Sequence, residues 1–243
     1  IRGWLFILLL FTNCFLFSDV TEDFLLDKIG ESRGPSGDFV SSLKIINIVD
    51  EKVTDENLMQ IFVSKTKDDE NRTIAYFLEP ASEKGRKMLL VGTDTWLYIP
   101  GTKRPIKISL SQKLSGGVST GDILSIGLKS DYTATILGEE KRNDIDCYKL
   151  NLIAKNNKVT YYKVIFYISK RDFKPVQAEY YSQTDKLLKK GYFRKYQNNL
   201  CVEILIEDKI QSNRVSVIKY LKFESKKINE LYFNPNTLKD FEL

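Results

Sequence analysis

The residue types in this sequence that could do chemistry fall into a few groups, and none makes a complete catalytic set. Ser115–Asp122 (SGGVSTGD) joins three glycines to three hydroxyls. A phosphate-binding loop of this kind needs a lysine followed by a hydroxyl at the start of a helix, and Asp122 stands where the cation is required. The plainer reading is a loop entering a helix, with Ser119 or Thr120 as cap. Glu139, Glu140, Asp144 and Asp146 could supply an acid–base pair. Lys141 and Arg142 sit among them, which suits a charge-balanced hairpin tip better. The run Lys186–Lys195 (KLLKKGYFRK) interleaves cations with Tyr192 and Phe193. That pattern fits single-stranded nucleic acid, anionic lipid head groups or, most simply, an edge strand guarded by lysines.

The chain has no histidine. Ser-His-Asp and Cys-His activation, His-ligated zinc and imidazole acid–base chemistry are therefore excluded. Cys14, Cys147 and Cys201 form no CxxC pair, so a metal or redox motif is not expected. Cys147 and Cys201 either pair or sit as two buried thiols. The net charge of +5 arises from 37 cations and 32 anions spread along 243 residues, too mild an excess to imply a nucleic-acid partner. No catalytic residue, metal or cofactor is expected.

The elements that must position these groups begin with an apolar leader. Residues 1–18 (IRGWLFILLLFTNCFLFS) place Arg2 before an apolar run from Trp4 to Leu10 that resumes at Phe15–Phe17. The polar break at Thr12-Asn13 and the short length argue against a membrane span, and the pattern is that of a signal peptide. Two processing outcomes are open: cleavage after Ser18 to a soluble product, or acylation of Cys14, since Phe11–Cys14 distantly matches a lipobox. Either exports the protein, and so does an uncleaved anchor helix.

Residues 19–243 read as one domain. Asp19–Arg33 has an apolar face through Phe24, Leu25 and Ile29, with Asp19 or Thr21 as cap, and stops at Gly34-Pro35. From Gly37 onward, short β-branched and aromatic runs predict strands: 39–49, 57–65, 73–78, 87–91, 96–99, 106–110, 132–137, 147–154, 161–168, 175–181, 187–196, 200–207 and 215–223. Turn signals stand at Lys67–Asn71, Glu83–Gly85, Arg142–Asp144, Lys155–Lys158 and Gln211–Asn213. Short helices are predicted at Thr120–Leu128 and Asn234–Phe241. The fold class is mainly β: an incomplete antiparallel barrel, or curved sheet, closed by a few short helices. Such a sheet must cover its concave face, and a loose cover leaves an apolar cavity.

One segment connects this architecture to a family. Trp96–Pro100 (WLYIP), Arg104–Ser109 (RPIKIS) and Gly121-Asp122-Ile123 follow one another. Downstream come Tyr132–Gly138 (YTATILG), Tyr148–Leu152 (YKLNL), Lys174–Tyr181 (KPVQAEYY) and Leu231–Leu238 (LYFNPNTL). This ordered series resembles the LolA-like outer-membrane lipoprotein-sorting family, with VSTGD standing where the family often carries an aromatic and GSD. The resemblance implies a periplasmic carrier or lipid-anchored receptor that holds lipoprotein acyl chains, or other lipid, in an apolar cavity. It also implies an inner-membrane transporter as a candidate partner; a monomer is expected. Phe62, Tyr76, Leu78, Trp96, Tyr98, Leu150, Leu152 and Phe166 are the expected cavity lining, and Lys103, Arg104 and Lys107 a basic rim. Strand parity decides each lining residue. Two other readings remain: an envelope scaffold docking to a transporter without lipid, and a carboxylate-based hydrolase of the envelope.

Overall fold

The structure, a computed structural model, describes residues 20–65, 71–125 and 127–243. The expected leader with Cys14, and most of the Lys67–Asn71 connector, lie outside the described residues.

The chain opens with α1 (Glu22–Arg33), capped by Thr21, whose Oγ1 accepts from the Phe24 amide at 3.2 Å. Acidic Glu22 and Asp23 in the first turn and Arg33 in the last suit the helix dipole. Strands follow in antiparallel succession: β1 (Phe39–Val49), β2 (Lys52–Lys65), β3 (Asn71–Glu79), β4 (Lys87–Val91), β5 (Asp94–Tyr98) and β6 (Ile106–Ile108). A two-stranded hairpin, β7 (Lys113–Ser115) and β8 (Val118–Ser119), leads into α2 (Thr120–Leu124). The second run comprises β9 (Tyr132–Arg142), β10 (Ile145–Ala154), β11 (Lys163–Ser169), β12 (Pro175–Tyr181), β13 (Leu187–Gln197), β14 (Leu200–Asp208) and β15 (Arg214–Ser225). Two 3-10 turns, Glu230–Tyr232 and Leu238–Asp240, replace the expected C-terminal helix.

Among the described residues thirteen strands form one sheet in the order β6-β5-β4-β3-β2-β1-β15-β14-β13-β12-β11-β10-β9. Strands β6 and β9 are its edges, so the sheet curls without closing. Tight turns with two consecutive positive φ values set several registers: Asp50-Glu51, Asn143-Asp144 and Asn198-Asn199. This geometry matches the twist of paired strands. The first of these turns was not legible, because Asp-Glu is a poor signal for it; β2 consequently begins at Lys52, not at Asn57.

Alternation along the strands gives two faces. The concave face collects Phe39, Leu43, Ile45, Met59, Ile61 and Phe77 with Leu150, Leu152, Val164, Phe166 and Ile168. Leu25, Leu26 and Ile29 of α1, and Ile123 and Leu124 of α2, pack down on it. A smaller apolar cluster lies apart from this core. There Phe62, Ile74 and Leu89 are covered by Ile228, Phe233, Leu238 and Phe241 of the C-terminal segment.

The Lys186–Lys195 run is not an edge strand. It is β13, hydrogen-bonded between β12 and β14. Glu139 and Glu140 do stand near a hairpin tip, paired with Lys170 at 2.5 Å and Lys149 at 2.8 Å. Cys147 and Cys201 are free, buried thiols.

Candidate functional site

The site is built where the cover meets the concave face. Strand β8 delivers the chain to α2 through Ser119, whose amide donates to Asp122 Oδ2 at 2.8 Å. Gly121 must be glycine here, because a Cβ would stand 1.7 Å from Thr160 Oγ1. Asp122 is then a junction of four elements. Its Oδ2 meets Lys189 Nζ of β13 at 2.8 Å, and its Oδ1 accepts from the Tyr161 hydroxyl at 2.6 Å. Its carbonyl accepts from Arg33 Nη2, at the end of α1, at 2.7 Å. Lys189 spends its remaining donors on the Gly117 carbonyl at 2.7 Å and Ser119 Oγ at 3.1 Å. At the far end of α2, Thr73 Oγ1 donates to the Leu124 carbonyl at 2.9 Å.

Next to this junction the β7–β8 hairpin is seated on neutral polar side chains. Asn47 and Asn57 both donate to Ser115 Oγ, at 2.6 and 2.8 Å, and Ser216 Oγ donates to Asn47 Oδ1 at 2.6 Å. The Gly117 amide donates to Ser216 Oγ at 2.9 Å. Gly116 has φ of +54°, and a Cβ there would lie 1.8 Å from Asn47 Oδ1, so only glycine lets the hairpin approach this closely.

Between cover and sheet a narrow chamber of about 50 Å³ remains. About 10–15 Å³ of such space is enough for one water, so the chamber takes a few waters and not a hydrocarbon chain. Leu128, Val164, Phe166, Ile204 and Ile218 give it apolar walls, with Arg33, Asp131 and three tyrosines among them. Burial pushes the Tyr161 phenol well above its usual range, and the Asp122 carboxylate beside it adds to the effect. Burial likewise raises the Asp131 carboxyl, against the opposing pull of Ser130 and Lys155. Burial alone would lower the Arg33 guanidinium; Tyr220, Tyr180 and Asp122 outweigh it and hold the charge.

This architecture is shared with a LolA superfamily protein from Nitrosomonas europaea, which is 31% identical, superposes with a TM-score of 0.82, and is covered over 98% of its length by 88% of this chain. The chain belongs to the LolA superfamily. A family model described as "uncharacterized protein" matches residues 69–240. Two further solved structures share the fold at 21% identity and a TM-score of 0.74, with 88% of this chain and 97% of theirs aligned. One is described as an outer membrane lipoprotein-sorting protein domain, from Vibrio parahaemolyticus; the other is a DUF1329 family protein from Desulfovibrio piger. The curated proteins give no match.

Within this LolA-superfamily fold the expected lining residues separate onto two faces. Leu150, Leu152 and Phe166 are on the concave face, and Phe166 walls the chamber. Phe62, Tyr76, Trp96 and Tyr98 belong to the other cluster, under the C-terminal segment. Phe62 meets Phe241 edge to face, with ring centroids 4.9 Å apart. Leu78 falls at a bulge, where Leu58 pairs with Glu79 and Met59 with Phe77. The physical reason is parity: in β3 and β5 the alternate residues Ala75, Phe77 and Leu97 take the inner face. Of the expected rim, Lys103 and Arg104 are exposed in the loop before β6. Lys107 pairs with Asp94 at 2.9 Å and lies over the Trp96 ring, on the side away from the chamber. Lys158 of the β10–β11 loop approaches the same Asp94 at 3.6 Å, joining the two ends of the open sheet.

Arg33, Asp122, Tyr161 and Lys189 were not expected as a group. Their signal was faint: Asp122 where a phosphate loop would want a cation, and Lys189 on a strand face that it shares with Gly191 and Phe193. Among the described residues no helix is long and apolar enough to cross a membrane.

Proposed function

We propose that this protein is a carrier or receptor for lipoprotein acyl chains or other lipid, working outside the inner membrane in outer-membrane sorting. The observation that carries the reading is the chamber wall of Val164, Phe166, Ile204 and Ile218, roofed by α1 and by an α2 segment held by polar contacts and by its buried Ile123 and Leu124. Leu150 and Leu152 extend the same concave face. The likeness to a lipoprotein-sorting domain supports the cargo class. Carriage of this kind needs no catalytic group: each buried CH₂ contributes about 0.8 kcal/mol.

The small chamber makes the described conformation a closed one in this reading, and the roof must move before a chain can enter. Fully burying a Leu or Ile side chain contributes about 1.5–3 kcal/mol. Lifting α1 exposes Leu25, Leu26 and Ile29, whereas lifting α2 exposes Ile123 and Leu124. In the same reading residues 1–18 direct export, and the mature form is either soluble or anchored through acylated Cys14. An inner-membrane transporter would deliver the cargo to a monomer.

The filled concave interior favours a second reading, a rigid envelope scaffold that docks to a transporter and holds no lipid. Native mass spectrometry of the protein purified from membranes and periplasm separates the two. Co-purified lipid, released on unfolding, is expected for the carrier; a protein that stays empty even after incubation with acyl chains leaves the scaffold.

A further inference from the structure

Arg33 presents an unsolved charge balance. It is the last residue of α1 and is half-buried in the chamber wall. Nη2 is used on the Asp122 carbonyl, and the Tyr220 hydroxyl is within hydrogen-bonding reach of the guanidinium. Nε is buried and, among the described residues, has no hydrogen-bond partner. Among the described residues no carboxylate forms an ion pair with Arg33. The Asp122 carboxylate is already engaged by Lys189, Tyr161 and the Ser119 amide. Asp131 also lines the chamber, but its Oδ1 accepts from Ser130 Oγ at 3.2 Å and no bond joins it to Arg33.

A cation partly withdrawn from water that forms no ion pair, its nearby carboxylate being engaged elsewhere, is costly, and proteins pair such charges or use them for ligands. Arginine presents a rigid, two-pronged donor that matches oxyanions. Arg33 lines a chamber whose apolar walls include Val164, Phe166, Ile204 and Ile218.

Resting on the carrier reading, we infer that the chamber selects amphiphiles bearing an oxyanion, with Arg33 as the group that recognises the charged head and the aliphatic and aromatic wall holding the chain. The shared chemistry is a carboxylate or phosphate on a hydrocarbon chain; a free fatty acid and a phospholipid-derived monoester are its two sources. The site also couples arrival to opening. An oxyanion on the guanidinium competes with the Asp122 carbonyl for Arg33, and that contact is one of those holding the start of α2 down.

The test is calorimetric titration of the whole protein at about pH 8, where a carboxylic acid is ionised. Laurate, dodecyl phosphate, dodecanol and dodecyltrimethylammonium share one chain length and differ in head charge. Both anions are expected to bind at least tenfold more tightly than dodecanol, and the cation more weakly than dodecanol. The stronger of the two anions names the source. In Arg33→Met the anion-to-alcohol ratio should fall to about one. Arg33→Lys keeps the cation without the two-pronged donor, so it should lower the ratio severalfold and serves if the methionine variant does not fold. Equal binding of anions and dodecanol by the unaltered protein overturns the inference while leaving the carrier reading intact. So does a ratio unchanged in the folded variants. Absence of binding by every chain removes the inference and the carrier reading together.

Discussion

Lys189 Nζ and Asp122 Oδ2 lie 2.8 Å apart, with their side chains only 9% and 7% exposed, and tie the middle of the sheet to the first turn of α2. Removing one member of a buried pair leaves the other charge uncompensated, which costs about 3–5 kcal/mol. Asp122→Asn is accordingly expected to lose about 3 kcal/mol in urea unfolding. Replacing both partners, by Asp122→Leu with Lys189→Met, should recover only part of it: the unpaired charge is removed, but the Tyr161 hydroxyl, the Ser119 amide and the Gly117 carbonyl lose their partners. In the carrier reading, Asp122→Asn should also speed the entry of a fluorescent fatty-acyl probe, measured by stopped flow. Unchanged stability in the single variant would show that Lys189 has another counter-charge.

A second attachment holds the C-terminal segment. Lys87 is 5% exposed; its Nζ donates to the Lys239 carbonyl at 2.7 Å and lies over the rings of Tyr98 and Tyr76, 5.2 and 5.7 Å from their centroids. Burial lowers its basicity, while Glu242 and Asp240 oppose that. Hydrogen bonds from a charged donor contribute about 1.5–3 kcal/mol. Lys87→Met keeps the stem and loses the charge and the bond, so a loss of about 2 kcal/mol is expected. Trp96 packs against the cluster under this segment and is the only tryptophan outside residues 1–18. Its emission should shift to the red in Lys87→Met, and further when residues 228–243 are deleted. Emission that does not move would place Trp96 outside the covered cluster.

What the sequence disclosed, and what it withheld, follows from these two attachments. Period-2 patterns placed β1, β4 and β12 at their observed bounds, because alternation and flanking turn residues agree there. They could not tell which face of β3 or β5 turns inward, since Tyr76, Trp96 and Tyr98 are as apolar as Ala75, Phe77 and Leu97 opposite them. Both sets are covered, one by α1 and α2, the other by Phe233, Leu238 and Phe241. A strand covered on both sides has no polar face to orient it. Strand β10 did have one: Lys149 and Asn151 marked the outer side, and Leu150 and Leu152 turned inward as expected. The Arg33–Asp122–Lys189 junction was illegible for another reason. Its members are far apart in the chain and meet only after the sheet has curled, with Arg33 and Asp122 separated by 89 positions.

Asp131 makes stability depend on pH in an unusual direction. The residue is 5% exposed, and burial raises its carboxyl pKa above the ordinary 3.8. The folded state therefore holds this proton more tightly than the unfolded chain. Stability from this group is fully present below about 3.8 and falls as pH rises through the elevated folded value, with a constant penalty above it. Asp131→Asn should be more stable than the parent at neutral pH, and the advantage should vanish in acid. Urea midpoints measured across the acid range give the check; an advantage that grows as pH falls would reverse the assignment.

The location of the ligand can be decided by two phenylalanines of similar burial on opposite faces. Phe166 is 3% exposed on the chamber wall and Phe62 is 7% exposed beneath Phe241. Truncating either should cost about 3–5 kcal/mol, as for other buried aromatic residues, so stability alone cannot separate them. Binding can. Phe166→Ala enlarges a space of about 50 Å³, and apolar cavities made this way accept small hydrocarbons. It should bind a short-chain probe faster than the parent, because less movement of the roof is needed. Phe62→Ala should bind that probe as the parent does, since its cavity opens toward Ile74, Leu89 and the C-terminal segment. If Phe62→Ala changes the probe kinetics and Phe166→Ala does not, the chain binds under the C-terminal segment, and Tyr76, Trp96 and Tyr98 line it after all.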